Sequence, residues 1–165
     1  MVDHVLYREA LGRFASGVTV VTAPVNGGGI AGLTASAFSS LSMDPPLVLV
    51  CVGEKSASRA AFNASPYFAV HILAENQEPA AMAFARSGDD KANGIPWTPS
   101  ELGTPMLDDY LVALECKRTE EFHGGDHAII IGRIIDIRMS DCDRPPMTYY
   151  RGQLNPFSLK DEGAG

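Results

Sequence analysis

Basic residues are scarce in this sequence. Thirteen lysines and arginines face 20 aspartates and glutamates, giving a formal charge of -7 and a sequence pI near 5.0. A surface of that sign is a poor start for gripping nucleic acid, so polyanion partners are excluded from the expected function. Long apolar runs are also lacking. No stretch reaches the length of a bilayer-spanning helix, and no basic segment with an extended apolar core stands at the N-terminus. Neither a membrane span nor a signal peptide is expected, and the expected location is cytoplasmic. Cysteine is sparse: Cys51, Cys116 and Cys142 form no CxxC pair and leave one over, which reads as three reduced thiols, with no metal site expected.

Apolar residues, glycine and proline are plentiful. With 45% hydrophobic residues in 165, the chain suits one domain, 1–165, with a substantial core. Its 16 glycines and 11 prolines fall between β-branched runs, which favours a mainly β fold with tight turns and few helices. The chain is organised around residues 32–52. Small and hydroxyl residues come first there (Thr34, Ser36, Ser39, Ser40, Ser42), then a turn at Asp44-Pro45-Pro46, then the apolar run Leu47 to Val52. That many hydroxyls cannot all be buried against apolar neighbours without partners, so a flat, polar-edged ligand is expected against them.

In chain order, Asp3 is placed to cap a first, amphipathic docking helix carrying Val5, Leu6, Ala10, Leu11 and Phe14, with Gly17 as its stop. Residues 18–25 read as a strand, Asn26-Gly27-Gly28-Gly29 as a turn and Ile30 as the start of the return strand. Gly27, Gly29 and Gly32 match GxGxxG formally, but a strand-like segment follows where a dinucleotide fold needs a helix, so a hairpin is expected. Ser56 and Ser58 open a short alanine-rich helix beside Lys55 and Arg59. They serve either as simple caps or as a phosphate cradle. Residues 67–73 read as a strand in which His71 is a satisfied core residue. Residues 77–86 read as a helix with Ala80, Ala81, Phe84 and Ala85 inward, followed by a long irregular stretch to Asp108. Within it, Gly94 to Pro99, with the only tryptophan, either covers a pocket or subunit boundary or simply packs. Residues 111–121 and 128–139 read as two further strands. Between them Gly125-Asp126-His127 forms a turn from which His127 can project beside a ligand. Pro145 to Gly152 closes the domain, and residues 160–165 read as a loose tail. Composition and strand spacing together argue for an antiparallel β-barrel with flanking helices.

Four segments in this order, Arg13 to Thr22, Gly32 to Val52, Gly125-Asp126-His127 and Tyr149-Tyr150-Arg151-Gly152, make the chain resemble the short-chain flavin reductases that serve two-component flavin monooxygenases. The resemblance spans nearly the whole chain. It implies an antiparallel split β-barrel of the FMN-binding split-barrel type, usually a homodimer. The implied reaction is hydride transfer from NADH or NADPH to FMN or FAD, with reduced flavin passed to a partner oxygenase component.

By the same resemblance, Thr34, Ala35, Ser36, Ser39, Ser40 and Leu41 contact the isoalloxazine or ribityl chain, and Cys51 and Val52 lie under it. Lys55, Ser56 and Ser58 hold the phosphate with Phe84, Ala85, Arg86 and Lys91, where a solvated charged helix end is the alternative for Arg86 and Lys91. His127 stands as the catalytic-site histidine by the nicotinamide, along a groove that includes Tyr150, Arg151 and Gly152. Gly53 departs from the more familiar patterns and leaves the adenylate half of an FAD unassigned. A flavin carrier or sensor, or a flavoprotein that holds FMN tightly and reduces another acceptor, is the rival expectation.

Overall fold

The computed structural model of the protein describes residues 2–88 and 90–157, so the expected tail at 160–165 lies outside the described residues. The frame is a seven-stranded antiparallel sheet. Its strands are β2 (Thr19–Pro24), β3 (Ile30–Ala35), β4 (Phe38–Met43), β5 (Pro46–Gly53), β6 (Tyr67–Ile72), β9 (Val112–Gly124) and β10 (His127–Met139), in the order β3-β2-β6-β9-β10-β5-β4. Valine and isoleucine fill them because β-branched side chains suit a pleated, half-buried surface. The inward residues Val21, Val48, Val50, Val52, Phe62, Phe68, Val70 and Ile130 make the main core.

The two edges of this sheet are neighbours in sequence. β3 ends at Ala35 and β4 begins at Phe38, so only Ser36 and Ala37 separate one edge from the other. Ala37 is anchored there by a bond from the Cys51 N–H to its carbonyl, 3.1 Å. The chain therefore curls the sheet until its edges approach within about 10 Å, the reach of three peptide units.

A second layer carries the helices. α1 (His4–Leu11) is capped as the sequence predicts, with Asp3 accepting from the Val5 N–H at 2.7 Å. It stops earlier than expected, at Gly12, and Gly17 instead sits in the short strand β1 (Ser16–Gly17). α1 is also not packed: none of its residues is buried, and Val5, Leu6 and Leu11 are mostly exposed. α2 (Arg59–Ala64) buries Phe62. α3 (Glu78–Ala85) buries Ala80, Ala81 and Phe84, whereas Ala85, expected inward, is exposed.

Two further stretches depart from the sequence reading. The stretch before Asp108 is not irregular throughout. It holds the hairpin β7 (Trp97–Pro99) and β8 (Pro105–Leu107), and Trp97 packs against a second core cluster with Leu73, Phe84 and Leu107. The closing segment is a hairpin, β11 (Met147–Tyr150) and β12 (Gln153–Pro156), with β1 paired to β11. Its loop is Arg151-Gly152, both at positive φ (52° and 80°), the signature of a type I′ turn. The glycine-rich turn at 26–29 does lead into a strand, with Gly27 and Gly28 at φ 91° and 86°, so the formal GxGxxG match carries no nucleotide fold.

Candidate functional site

A cavity of about 990 Å³ lies between α1 and the seam where the sheet edges meet. Ser36, Ser39 and Cys51 form one wall, from the β3–β4 link, β4 and β5. Tyr149, Arg151 and Gly152 form another, and α1 with its C-terminal extension (Arg8, Leu11, Gly12, Arg13) covers it. The roof is tied to the wall by one backbone bond, from the Arg151 N–H to the Gly12 carbonyl, 2.8 Å. Burial raises the Cys51 thiol, so it faces the cavity as a neutral SH. Exposed serine hydroxyls, a neutral thiol and several guanidinium groups form a donor set that fits a flat, anionic ligand with polar edges.

A smaller cavity, about 310 Å³, adjoins it through Ser36 and Gly152 and is also lined by Thr34, Ala81 and Ala85. Thr34 is not free toward it: its hydroxyl donates to the Ala81 carbonyl at 2.5 Å, joining β3 to α3. Ala35 is buried, and its carbonyl accepts from the Thr19 hydroxyl at 2.8 Å. Ser39 bonds locally to the Ser40 carbonyl. Ser40 is exposed, and Leu41 stands half-exposed at a bulge between Ser40 and Ser42. The hydroxyl-rich segment therefore lies open to solvent or bonded within the fold, rather than buried as a row.

A third cavity, about 300 Å³, brings together Ser58, Lys91, Gly32 and Gly88. The Ser58 hydroxyl (2.5 Å) and the Lys91 ammonium (3.1 Å) both donate to the Gly32 carbonyl. Ser58 is therefore the N-cap of α2 by position, yet makes no side-chain cap bond. Ser56 Oγ instead accepts from the Ser58 N–H at 3.3 Å. Lys55 is exposed on the turn after β5. Arg59, raised beside them in the sequence reading, points elsewhere. It pairs with Glu54 at 3.1 Å and with Glu121 and Asn63, and the Glu121 bond is the first reason its guanidinium is held more firmly protonated.

Two predicted contact residues belong to the core. Phe84 packs against Gly32, so tightly that a β-carbon built on Gly32 would stand 2.7 Å from its ring, and Val52 is fully buried. Their side chains have no surface to offer a ligand, so only backbone contact is open to them. Arg86 ends α3, exposed, and lines none of these cavities. Tyr150 faces a fourth cavity, about 760 Å³, which shares Arg151, whose guanidinium stands 5.3 Å from the Tyr150 ring centre.

His127 begins β10 after the two-residue loop Gly125-Asp126, with Gly125 at φ 71°. It pairs with Gly53 of β5, two residues beyond Cys51, and its ring lies over that glycine, where a β-carbon would be 3.7 Å from Nε2. Asp126 does more than turn the chain. Its Oδ1 meets His127 Nδ1 at 2.7 Å, and that bond is the main reason its carboxyl is held below the usual range. An ionised carboxylate only accepts, so Nδ1 carries the proton of that bond and Nε2 is the nitrogen that stands over Gly53. His71 is satisfied on both nitrogens, as the sequence reading expects. The Leu107 N–H donates to Nε2 at 3.0 Å, and Nδ1 donates to the Val20 carbonyl at 3.1 Å.

Sequence reasoning did not bring α1 to the site. Arg8 and Arg13 line the cavity although the sequence reading gave neither a role in binding.

Comparison with known proteins fits this architecture. Over 152 residues the chain is 38% identical to the flavin-dependent monooxygenase reductase subunit HsaB of Rhodococcus jostii, covering 92% of this chain and 77% of that one. It is 37% identical to the FMN reductase (NADH) SmoA of Agrobacterium fabrum, covering 92% and 85%. Among solved structures it matches the Streptomyces globisporus NADH:FAD oxidoreductase SgcE6, in complex with NAD and FAD fragments, with a TM-score of 0.89 and 35% identity, covering 97% and 96%. The flavin reductase like domain model matches residues 11–158, so the chain belongs to that family.

Proposed function

We propose that this protein is the reductase component of a two-component flavin-dependent monooxygenase, an NAD(P)H:flavin oxidoreductase that supplies reduced flavin to an oxygenase partner. The observation that carries the reading is end-to-end likeness to an NADH:FAD oxidoreductase, combined with a cavity whose donors suit a flat anionic ring system. When bound, the flavin supplies the hydride-accepting ring. The chain would supply position: Ser36, Ser39 and Cys51 would line one side of the ligand, Ser58 and Lys91, with Lys55 and Ser56, would hold its phosphate, and His127 would stand by the nicotinamide. No protein group has to move a proton to the reacting carbon, so acceleration comes from stacking the two rings and excluding water.

The reading carries a single domain, 1–165, folded as a split barrel, since one two-residue link joins the sheet edges. It also carries a homodimer, since α1 and the outer half of β10 present Leu6, Leu11, Ile135, Ile137 and Met139 to solvent in one copy.

The test is steady-state oxidation of NADH and NADPH by the purified protein with FMN, FAD or no added flavin, recorded with the visible spectrum. Turnover saturating in free flavin is expected. A yellow protein without turnover would replace this reading by a carrier or a flavoprotein that holds its FMN.

A further inference from the structure

The turn that carries His127 and the loop that carries Lys55, Ser56 and Ser58 leave the same end of the sheet. Gly53, the last residue of β5, pairs with His127, and the next residue, Glu54, donates its N–H to the Asp126 carbonyl at 3.0 Å. Side chains widen this narrow join. Arg59, at the start of α2, lines none of the cavities described above. Its side chain, only 11% exposed, lies between two carboxylates from different elements. Nε donates to Glu54 Oε2 at 3.1 Å, while Nη1 (3.3 Å) and Nη2 donate to Glu121 of β9. Arg118 joins the same cluster, donating to Glu121 at 3.4 Å and to the Asn63 carbonyl of α2 at 3.2 Å. A guanidinium suits the place, because its fork and its Nε serve two carboxylates at once, where an ammonium is a point charge.

Glu54 opens the loop, and Glu121 stands opposite Ile130, three pairs along the β9–β10 hairpin from His127. We infer that Arg59 is a positioning residue: by bridging Glu54 and Glu121 it fixes the loop of Lys55, Ser56 and Ser58 against the β9–β10 hairpin, and so sets the phosphate end of a bound flavin at a fixed reach from His127. The assignment rests on the reductase reading above. Hydride transfer depends on how two rings overlap, so a loop displaced by about 1 Å at one end is felt at the other. Both carboxylates stay about a third exposed, and pairs of that kind add little to stability. The effect of the bridge therefore belongs to the geometry of the site and not to the melting temperature.

Arg59→Gln and Glu121→Gln test the bridge from its two sides. FMN affinity is read from quenching of flavin fluorescence, and hydride transfer by stopped flow at saturating NADH and FMN. Each variant is expected to weaken FMN binding by about fivefold and to slow hydride transfer by about tenfold, with circular dichroism unchanged. The double variant is no worse than either alone. Arg59→Lys restores the charge without the bridge and does not recover the rate. The signs separate a bridge from a field: an Arg59 acting only as positive charge near the phosphate would make Glu121→Gln tighten FMN binding, and that result overturns the proposal. In a His127→Ala background, Arg59→Gln costs less than about twofold in rate, since the group it positions is gone. An undiminished loss there, or wild-type affinity and rate in both single variants, also refutes it. Failure of the reductase reading shows separately, as absent NADH oxidation by the wild type with every flavin, while FMN binding weakened in both variants still supports the bridge. No FMN binding by the wild type at millimolar concentration overturns both.

Discussion

At His127 a single hydrogen bond sets the ring's orientation. Asp126 holds Nδ1, leaving Nε2 above Gly53. His127→Ala is expected to lower NADH-dependent flavin reduction by on the order of ten- to a hundredfold, because the loss is one of positioning. Asp126→Asn, on an exposed turn, keeps the fold and lowers turnover by about fivefold. Equal activity of wild type and His127→Ala in stopped-flow hydride transfer would remove the histidine from the site. His71 is the opposite case. Burial lowers it to about 4 from its ordinary 6.5, so the neutral ring is the folded form. Between those values the unfolded chain binds the proton and the folded one does not. Stability is therefore full above about pH 6.5 and falls as the pH drops toward 4, by about 3 kcal/mol in all. Urea melts at pH 7 and pH 4.5 measure it; a midpoint that does not move would show that His71 accepts a proton inside the fold.

At the scale of elements, Gly32 is where β3, α2 and α3 converge. Its carbonyl takes Ser58 and Lys91, and its missing side chain admits Phe84. Gly32→Ala is expected to cost about 1–3 kcal/mol, since the new methyl meets both the Phe84 ring and the Val21 carbonyl oxygen. A thermal melt of the variant checks it. The strands at 19–24, 30–35, 46–53 and 67–72 were legible in the sequence because each is a β-branched or apolar run bounded by glycine, proline or asparagine. The hairpins β7–β8 and β11–β12 were not, because strands of three or four residues are too short to show a period. Glu115 shows another limit. It alternates with the buried Leu114 and Cys116, which by period alone puts it on the outer face, yet it is buried with the Ser100 hydroxyl donating to it at 2.5 Å, because the β7–β8 hairpin covers that face. In the site, Ser36, Ser39, Cys51, Arg151 and Gly152 were named from the sequence and share one cavity. Phe84 and Val52 were named too and went to the core, since motif position does not reveal which way a side chain faces.

For the whole molecule, the apolar side chains on α1 and β10 give the clearest prediction. Ile137, with 56% of its surface exposed, and Leu6, with 61%, are the side chains that the homodimer proposed above would cover. Ile137→Lys and Leu6→Lys are expected to shift the protein from dimer to monomer in size-exclusion chromatography with light scattering. A wild type that runs as a monomer refutes the dimer.

The bond between Arg151 and Gly12 joins segments nearly the whole chain apart. The cavity they share has walls from residues 7–16, from the middle of the chain and from residues 149–152. All seven strands of the main sheet precede residue 140, so the sheet does not depend on the wall that residues 149–152 add to this cavity. Trimming the chain before residue 149 is therefore expected to open the cavity while leaving the sheet's strand order in place.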